Sequence, residues 1–395
     1  MSPSRTCPAL PDRYARTAWL VLAAVLVASL ALWGALPLRA SAQGGGPAVS
    51  GSQATFTFPE SLAFQVHVER AAGVREVILF FGRAESPLVR RVYPAFAPGA
   101  EWTVRYTEDL EPGQYAPGTV FRYWWEFLLE DGTVHATEPQ TFEYTDPRFD
   151  WEVLAGERVD LYHYADARRG GALLAAAEAA IARLEEDTGV PVDRRVRVYS
   201  YASARDMSLA LASRSEAYDD RVLTLGVAVD DHTLILLGSH RDAEMIVAHE
   251  LSHIVVGIAT ANPFAGLPRW LDEGLAMYAE GEDLPPANRS ALEEAIRRDA
   301  LLSLRSMTSY SGQAAQVDLF YAQAHSIVAF LLEEHGRDRM RELLAVFAEG
   351  SRQDDALERV HGHDLTGLED RWRASLGLAP RSGAPTAVPR GVGAA

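Results

Sequence analysis

The chain has 395 residues, of which 48% are apolar and 23% charged, an ordinary globular composition that excludes a disordered or collagen-like protein. All 37 basic residues are arginine, 54 residues are acidic, and the net charge is −17. Because phosphate binding needs clustered cations, this balance argues against nucleic acid as a partner. The single cysteine excludes a disulfide framework and a cysteine-based zinc site.

The N-terminus has the pattern of a targeting segment. Arg13 and Arg16 precede an apolar run, Trp19–Leu36, and small residues lie just before Gln43. This pattern predicts a signal peptide over residues 1–42, and so an exported protein that is secreted or held at the cell surface. The apolar run is also long enough to span a bilayer. The alternative is therefore a signal anchor, and an uncleaved segment is the one membrane attachment that we expect.

Residues 43–51 (QGGGPAVSG) read as a flexible linker, and an all-β domain is predicted to follow over residues 52–147. Short runs with turn residues between them and no helical period are typical of a β-sandwich. Without a cysteine pair, the likeness to immunoglobulin or fibronectin type III domains is one of pattern only. The predicted strands are Ala54–Phe58, Leu62–Val68, Glu76–Phe81, Leu88–Tyr93, Glu101–Tyr106, Val120–Leu129 and Gln140–Tyr144.

The periodicity changes after Pro147, which predicts a second domain over residues 148–378 and a disordered tail over residues 379–395. This domain begins with alternating strands and helices and is mostly helical from Arg241 onward, so we expect an α+β fold with a helical C-terminal half. Thr233–Leu237 is predicted either as an edge strand that pairs with substrate backbone or as an ordinary core strand. The other predicted elements are strands Arg158–Tyr164, Arg195–Tyr201 and Leu223–Val229 and helices Gly171–Asp187 and Ala202–Ser213.

A helix that we expect to start at Ser239, with Asp242 completing a capping box, and to end near Ala259 carries the pattern His-Glu-x-x-His. His249 and His253 are four residues apart and so lie on one helix face, where both imidazoles can bind one Zn²⁺. Glu250 lies beside them, where it can take a proton from a zinc-bound water. A pair of histidines can equally be core packing, so the motif alone only suggests a metal site.

A second segment, Pro268–Ala276, strengthens the zinc interpretation. It predicts a helix with Glu273 on the same face as Trp270 and Met277, where a carboxylate is costly unless it is paired or binds a metal. Gly274 is expected to let this helix approach the first one. Two histidines and one glutamate form a catalytic zinc set with one open position, so we predict one Zn²⁺ per chain.

The sequences HELSH and WLDEGLA together resemble those of the gluzincin metallopeptidases. The pattern W-L-x-E-G-x-A is similar to that of the aminopeptidase N family, although 19 residues separate His253 from Glu273, one more than is usual there. The amine-recognition motif G-x-M-E-N of those aminopeptidases has no match upstream, which argues against exopeptidase activity. Over about residues 150–378 the chain looks most like exported bacterial "peptidase MA-like" domains, which implies a zincin-like fold.

The resemblance also implies a tyrosine, on a helix after the third ligand, that donates a hydrogen bond to the tetrahedral intermediate. Tyr321 matches that place best, in a helix with Asp318 as N-cap and Gly336 just past its end. Core packing is the alternative role for Tyr321. His325, one turn later, is a second candidate, and Tyr310 is a third. Asp272, next to the third ligand, either orients an imidazole or is a surface acid.

Together these features predict an exported zinc metallopeptidase, of endopeptidase type, that hydrolyses peptide or protein substrates. The predicted metal ligands are His249, His253 and Glu273, and the predicted catalytic residues are Glu250 as general base and Tyr321. The alternative is a non-catalytic binding or scaffold protein that retains a peptidase-like fold.

Overall fold

The computed structural model describes residues 46–381, except 71–72, 98, 212–224, 265, 282 and 310–315. The predicted signal segment, Tyr310 and most of the predicted tail therefore lie outside the described residues. Among the residues described, none of the helices has both the length and the apolar character that a membrane span needs.

The N-terminal region is all-β and consists of two antiparallel sheets. One sheet has the order β1-β2-β5, and the other has the order β4-β3-β6-β7, with β8 also paired to β6. The strands are β1 (Ala48–Thr57), β2 (Ser61–Arg70), β3 (Val74–Arg83), β4 (Arg90–Val92), β5 (Trp102–Asp109), β6 (Thr119–Leu129), β7 (Val134–Ala136) and β8 (Gln140–Tyr144).

Alternation of side chains explains the core between these sheets. In β6, Phe121, Tyr123, Trp125 and Phe127 are buried on one face, as the period of two in a strand requires. They pack in one cluster with the buried residues of β2, such as Phe64. All seven runs predicted in this region overlap a strand, although β4 covers only three residues of Leu88–Tyr93, and the short strand β7 was not predicted.

The second region begins with a five-stranded mixed sheet in the order β12-β13-β11-β10-β9. The pairs β10–β11 and β11–β13 are parallel, and the two outer pairs are antiparallel. The strands are β9 (Glu152–Ala155), β10 (Val159–His163), β11 (Val196–Tyr201), β12 (Gly226–Asp230) and β13 (Thr233–Leu237).

Helices cover this sheet and form the C-terminal half of the chain. Helices α1 and α3 pack on the sheet around Leu161, Leu173 and Leu251, which are fully buried in one cluster. A second cluster of the later helices surrounds Trp270 and Trp372. The helices are α1 (Ala167–Thr188), α2 (Ala204–Ser208), α3 (Ala243–Ala259), α4 (Arg269–Glu280), α5 (Pro286–Arg297), α6 (Val317–Ala348, broken at Gly336), α7 (Gln353–His361) and α8 (Leu365–Ser375), with a 3₁₀ turn at Leu304–Thr308.

The strand Thr233–Leu237 lies inside the sheet, and its five residues are all buried. Its role as a possible edge strand is therefore wrong, and the core-strand alternative is confirmed. Among the described strands, β12 is at one edge of the sheet, where it pairs only with β13, and β9 is at the other edge. Local sequence could not decide this, because both strands are short apolar runs and their order depends on long-range pairing.

The sandwich and the mixed sheet share one apolar cluster. Tyr199 and Tyr201 of β11 belong to the same buried cluster as Tyr123 and Trp125 of the sandwich. The Tyr201 hydroxyl donates to the Asp146 carboxylate at 2.8 Å, and Asp146 is fully buried. The domain boundary near Pro147 stays a prediction, and one of the three apolar clusters extends across it.

Candidate metal centre

Helix α3 presents both histidines of the HELSH motif on one side. The ring centroids of His249 and His253 are 5.1 Å apart, as their four-residue spacing predicts. The opposite side of α3, with Val247, Leu251 and Val255, is buried against the sheet and α1. The predicted capping box is wrong: Asp242 is the N-cap, but its side chain makes no capping hydrogen bond.

Helix α4 brings the third predicted ligand to these histidines. Glu273 is 1% exposed and, as predicted, lies among the buried residues of α4 with Trp270 and Met277. Its Oε2 is 3.5 Å from His249 Nε2 and 3.7 Å from His253 Nε2. The three side chains thus converge from two helices on one small volume.

Gly274 has a different role from the predicted one. A Cβ atom built on Gly274 would lie 2.6 Å from the backbone oxygen of Ala324 and 2.6 Å from Val328 Cγ2, both in α6. The glycine therefore allows α4 to approach α6 rather than α3. This close approach brings Tyr321, also in α6, near the site.

Two further carboxylates hold the outer nitrogens of the histidines. His253 Nδ1 is 3.0 Å from Asp272 Oδ1, and His249 Nδ1 is 2.7 Å from Glu280 Oε1. Such partners fix the ring orientation and direct Nε2 toward a metal. Asp272 was a candidate for this role, whereas Glu280 was missed. The sequence could have identified Glu280 by its spacing, because Glu280 follows Glu273 by two helical turns and so lies on the same helix face.

The site is strongly anionic around its two imidazoles. Burial lowers the pKa of His249, but hydrogen bonds to Glu273 and Glu280 outweigh burial and raise the pKa to about 10. For His253, burial also acts to lower the pKa, and Asp272 and Glu273 raise it above its usual value. The carboxylates thus stabilise positive charge at the place where the three predicted ligands meet.

The donor set fits a zinc ion. Ligand atoms at about 2.0–2.2 Å around a tetrahedral ion lie about 3.3 Å from each other, within a few tenths of an ångström of the observed 3.5 and 3.7 Å. Two imidazole nitrogens and one carboxylate oxygen are also the ligand types of a catalytic zinc site.

Glu250 lies beside this set and contacts the edge strand. Its Oε2 accepts a hydrogen bond of 3.1 Å from the backbone N–H of Ala228 in β12. A Cβ atom on Gly226 would lie 2.9 Å from Glu250 Cγ, so this glycine lets the strand run close to the side chain. The predicted general base is therefore held next to the metal ligands by β12, the outermost described strand on this side of the sheet.

The structure separates two of the three candidates for oxyanion stabilisation. The Tyr321 ring is half-buried, and its centroid is 6.4 Å from that of His249. His325 is 7% exposed, and its ring centroid lies 6.1 Å from that of Tyr278 at the C-terminal part of α4. Tyr310 lies outside the described residues. The geometry therefore favours Tyr321, whose role stays a prediction.

A family model described as the Peptidase MA superfamily matches residues 176–377, just over half of the chain. The chain belongs to the Peptidase MA superfamily. The match includes α3, α4 and α6, and so all of the residues at the site described above. Membership supports a peptidase-type hydrolase at a coarse level, and members of this superfamily typically depend on a metal.

No curated protein sequence matches this Peptidase MA chain. Among solved structures, a bromine derivative of BhCBM56 is 11% identical, with 25% of this chain and 100% of that chain covered and a TM-score of 0.19. A polysaccharide deacetylase from Bacillus cereus is 11% identical over 42% and 54% of the two chains, with a TM-score of 0.22. A purple acid phosphatase from yellow lupin seeds is 13% identical over 41% and 31%, with a TM-score of 0.21. Scores this low carry no argument about function.

Proposed function

We propose that this chain is an exported zinc-dependent metallopeptidase, a gluzincin of endopeptidase type, that hydrolyses peptide bonds. The observation that carries the proposal is the convergence of His249, His253 and Glu273, with each histidine held from behind by a carboxylate. The pattern of residues 1–42 supports export.

Zinc bound by these three residues would acidify a water ligand and polarise the substrate carbonyl. Glu250 would then act as the general base, because it lies next to the ligands without being one of them. The Ala228 N–H holds Oε2 of Glu250, which leaves Oε1 to take the proton and pass it to the leaving amine.

Strand β12 is the surface that we expect to orient the substrate. An extended peptide that pairs with this edge would run past Glu250, since Ala228 of the same strand contacts the Glu250 side chain. Binding along an edge places residues on both sides of the scissile bond, which suits an endopeptidase. The absence of an amine-recognition motif in the sequence agrees with this.

Tyr321 is proposed to donate a hydrogen bond to the oxyanion that forms on the substrate carbonyl. It reaches the site from α6, whereas β12 contacts Glu250, and we propose that the substrate lies between Tyr321 and β12. Glu250 would therefore act on the attacking water and the leaving nitrogen, and Tyr321 on the carbonyl oxygen of the same peptide group.

A peptide-cleavage assay with metal control tests this function. Purified protein should cleave members of an internally quenched peptide library, lose activity on chelation and regain it with Zn²⁺. His253→Ala should lose both metal and activity, whereas His67→Ala, a change on the sandwich, should lose neither. A zinc-loaded protein that cleaves no peptide in the library would instead favour the non-catalytic scaffold.

A further inference from the structure

Three histidines meet in the C-terminal helical half, away from the HELSH motif. His335 is the last residue of α6 before its break at Gly336, His361 ends α7, and His363 precedes the N-cap of α8. The ring centroids are 4.4 Å apart for His335 and His361, 6.0 Å for His361 and His363, and 6.5 Å for His335 and His363. We call these residues the three-histidine cluster.

The ring centroids of this cluster lie on either side of the separation expected for imidazoles around one ion, one pair closer and two pairs 1–1.5 Å farther apart. Three rings bound through nitrogen to a tetrahedral ion have centroids about 5 Å apart, as calculated from metal–nitrogen distances of about 2.0–2.1 Å. His249 and His253 give the same value within this chain, at 5.1 Å. Among the described residues, only His249–His253–Glu273 and Glu85–Asp231–His232 place one ligand atom each within 4.8 Å of one another. The planes in the three-histidine cluster are 18–43° apart, so its rings must rotate for their nitrogens to converge. The terminal torsion of histidine is broad, which makes this rotation inexpensive.

Four of the six ring nitrogens of this cluster are buried and lack partners, whereas His363 Nδ1 lies 3.3 Å from the backbone oxygen of Asp364. Among the described residues, His335 Nε2, both nitrogens of His361 and His363 Nε2 are inaccessible to solvent and make no hydrogen bond. Buried polar atoms are normally satisfied, so four such atoms in one place require an explanation. A shared metal ion satisfies the atoms that face it.

Burial and nearby arginines keep His335 and His361 of the cluster in the neutral form, by lowering the pKa of each imidazole. Burial lowers the pKa of His335, and burial together with the neighbouring imidazoles lowers that of His361 to about 4. Neutral imidazole is the form that binds metals. The nearby acids are already paired, Glu334 with Arg371 at 2.9 Å and Glu342 with Arg339 at 2.6 Å, so they leave the imidazoles as the available ligands.

Local backbone geometry supports the same arrangement. Gly362 has a φ of 77° and separates His361 from His363, so that the two rings lie 6.0 Å apart on neighbouring helix ends. A Cβ atom on Gly367 would lie 2.7 Å from His363 Cβ, so this glycine leaves room for the ring. The C-terminal ends of two helices meet here, and helix C-termini stabilise a nearby cation.

We propose that His335, His361 and His363 bind a second metal ion, a late first-row divalent cation such as Zn²⁺ or Cu²⁺. Ligands that are all imidazoles suit these cations rather than Mg²⁺ or Ca²⁺. The ion would join α6, α7 and the start of α8, and so would stabilise the helical half without taking part in catalysis.

The proposal is tested by metal stoichiometry in a variant that lacks the first site, which is formed by His249, His253 and Glu273. The full chain, purified without a polyhistidine tag, would carry His249→Ala and His253→Ala, and Zn²⁺ binding would be measured by equilibrium dialysis and elemental analysis. We expect this variant to bind one equivalent of Zn²⁺, and the bound ion to raise its melting temperature. Adding His361→Ala should lower the affinity for this ion at least ~10-fold. Adding His67→Ala instead, as a matched surface control, should leave it intact.

A second substitution and a spectroscopic measurement keep the test decisive. If His361→Ala does not fold, His363→Gln, which preserves a polar side chain of similar size, takes its place. Cu²⁺ bound to the variant without the first site should show an electron paramagnetic resonance spectrum with splitting from three nitrogens. The proposal is overturned if that variant binds no metal. It is also overturned if the remaining equivalent survives the cluster substitutions, which would place the ion elsewhere, for example at Glu85, Asp231 and His232.

Discussion

Glu280 offers a sharp test of how the candidate site is built, because it touches a ligand and not the metal. Its Oε1 is 2.7 Å from His249 Nδ1, and both side chains are largely shielded, at 12% and 15% exposure. Glu280→Gln keeps the size and one acceptor oxygen but removes the charge. A hydrogen bond to a charged group contributes about 1.5–3 kcal/mol and a neutral one about 0.5–1.5 kcal/mol. The difference of about 1–1.5 kcal/mol corresponds to roughly tenfold in zinc affinity.

Glu280→Ala removes the acceptor as well, and should weaken zinc binding by up to ~100-fold, the upper end for such partners. Removing the carboxylate also lowers the pKa of His249, so protons compete less with zinc for this imidazole. At low pH this effect offsets part of the loss in zinc affinity. The difference from wild type should therefore widen between about pH 6.5 and 8.5.

Zinc affinity can be measured by competition with a chromogenic chelator at several pH values. Glu244→Gln, an exposed change in the first turn of α3, is the matched control and should leave affinity unchanged. If folded Glu280→Ala binds zinc as tightly as wild type across this range, the carboxylate does not support His249, and the ligand geometry argued above is wrong.

Three further predictions follow from named contacts. Tyr321→Phe should lower kcat by about 10²–10³-fold with zinc content unchanged, because removal of one hydrogen-bond donor to an oxyanion lowers kcat by roughly this factor. An unchanged kcat would show that Tyr321 does not stabilise the oxyanion. Gly274→Ala should lower the free energy of unfolding by about 1–3 kcal/mol, and the melting temperature by several degrees, because the added methyl group overpacks against Ala324. Gly171→Ala is the control, since a Cβ atom there meets nothing within 4 Å. Equal melting temperatures of the two variants would contradict the α4–α6 contact. Because hydrogen bonds to Glu273 and Glu280 raise the pKa of His249 to about 10, zinc binding at about pH 8 should release a proton from this imidazole, measurable by calorimetry in buffers of different ionisation enthalpy. Release of no proton at that pH would contradict a raised pKa of His249.

Local pattern was enough to predict much of this molecule. The alternation in Val120–Leu129 and the helical spacing of His249 and His253 are properties of short segments, and both are confirmed. The buried position of Glu273 could also be predicted, because its neighbours Trp270 and Met277 fix the inward face of one helix.

What the sequence could not provide depends on contacts between distant segments. The edge position of β12 follows from strand order, and the contact of Gly274 with Ala324 follows from helix packing across 50 residues. The pairing of Glu280 with His249 joins residues 31 positions apart. In each case the chemistry of the residue was visible, but its partner was not.

The central claim, that this site hydrolyses peptides with Glu250 as the base, is tested most directly by measuring zinc content and peptide cleavage on one preparation of Glu250→Gln. The substitution preserves the side chain's size and an acceptor for the Ala228 N–H, but it cannot accept a proton. The account predicts a folded variant with wild-type zinc content that cleaves peptide at least ~10²-fold more slowly. Cleavage at a near wild-type rate by the zinc-loaded variant would contradict it.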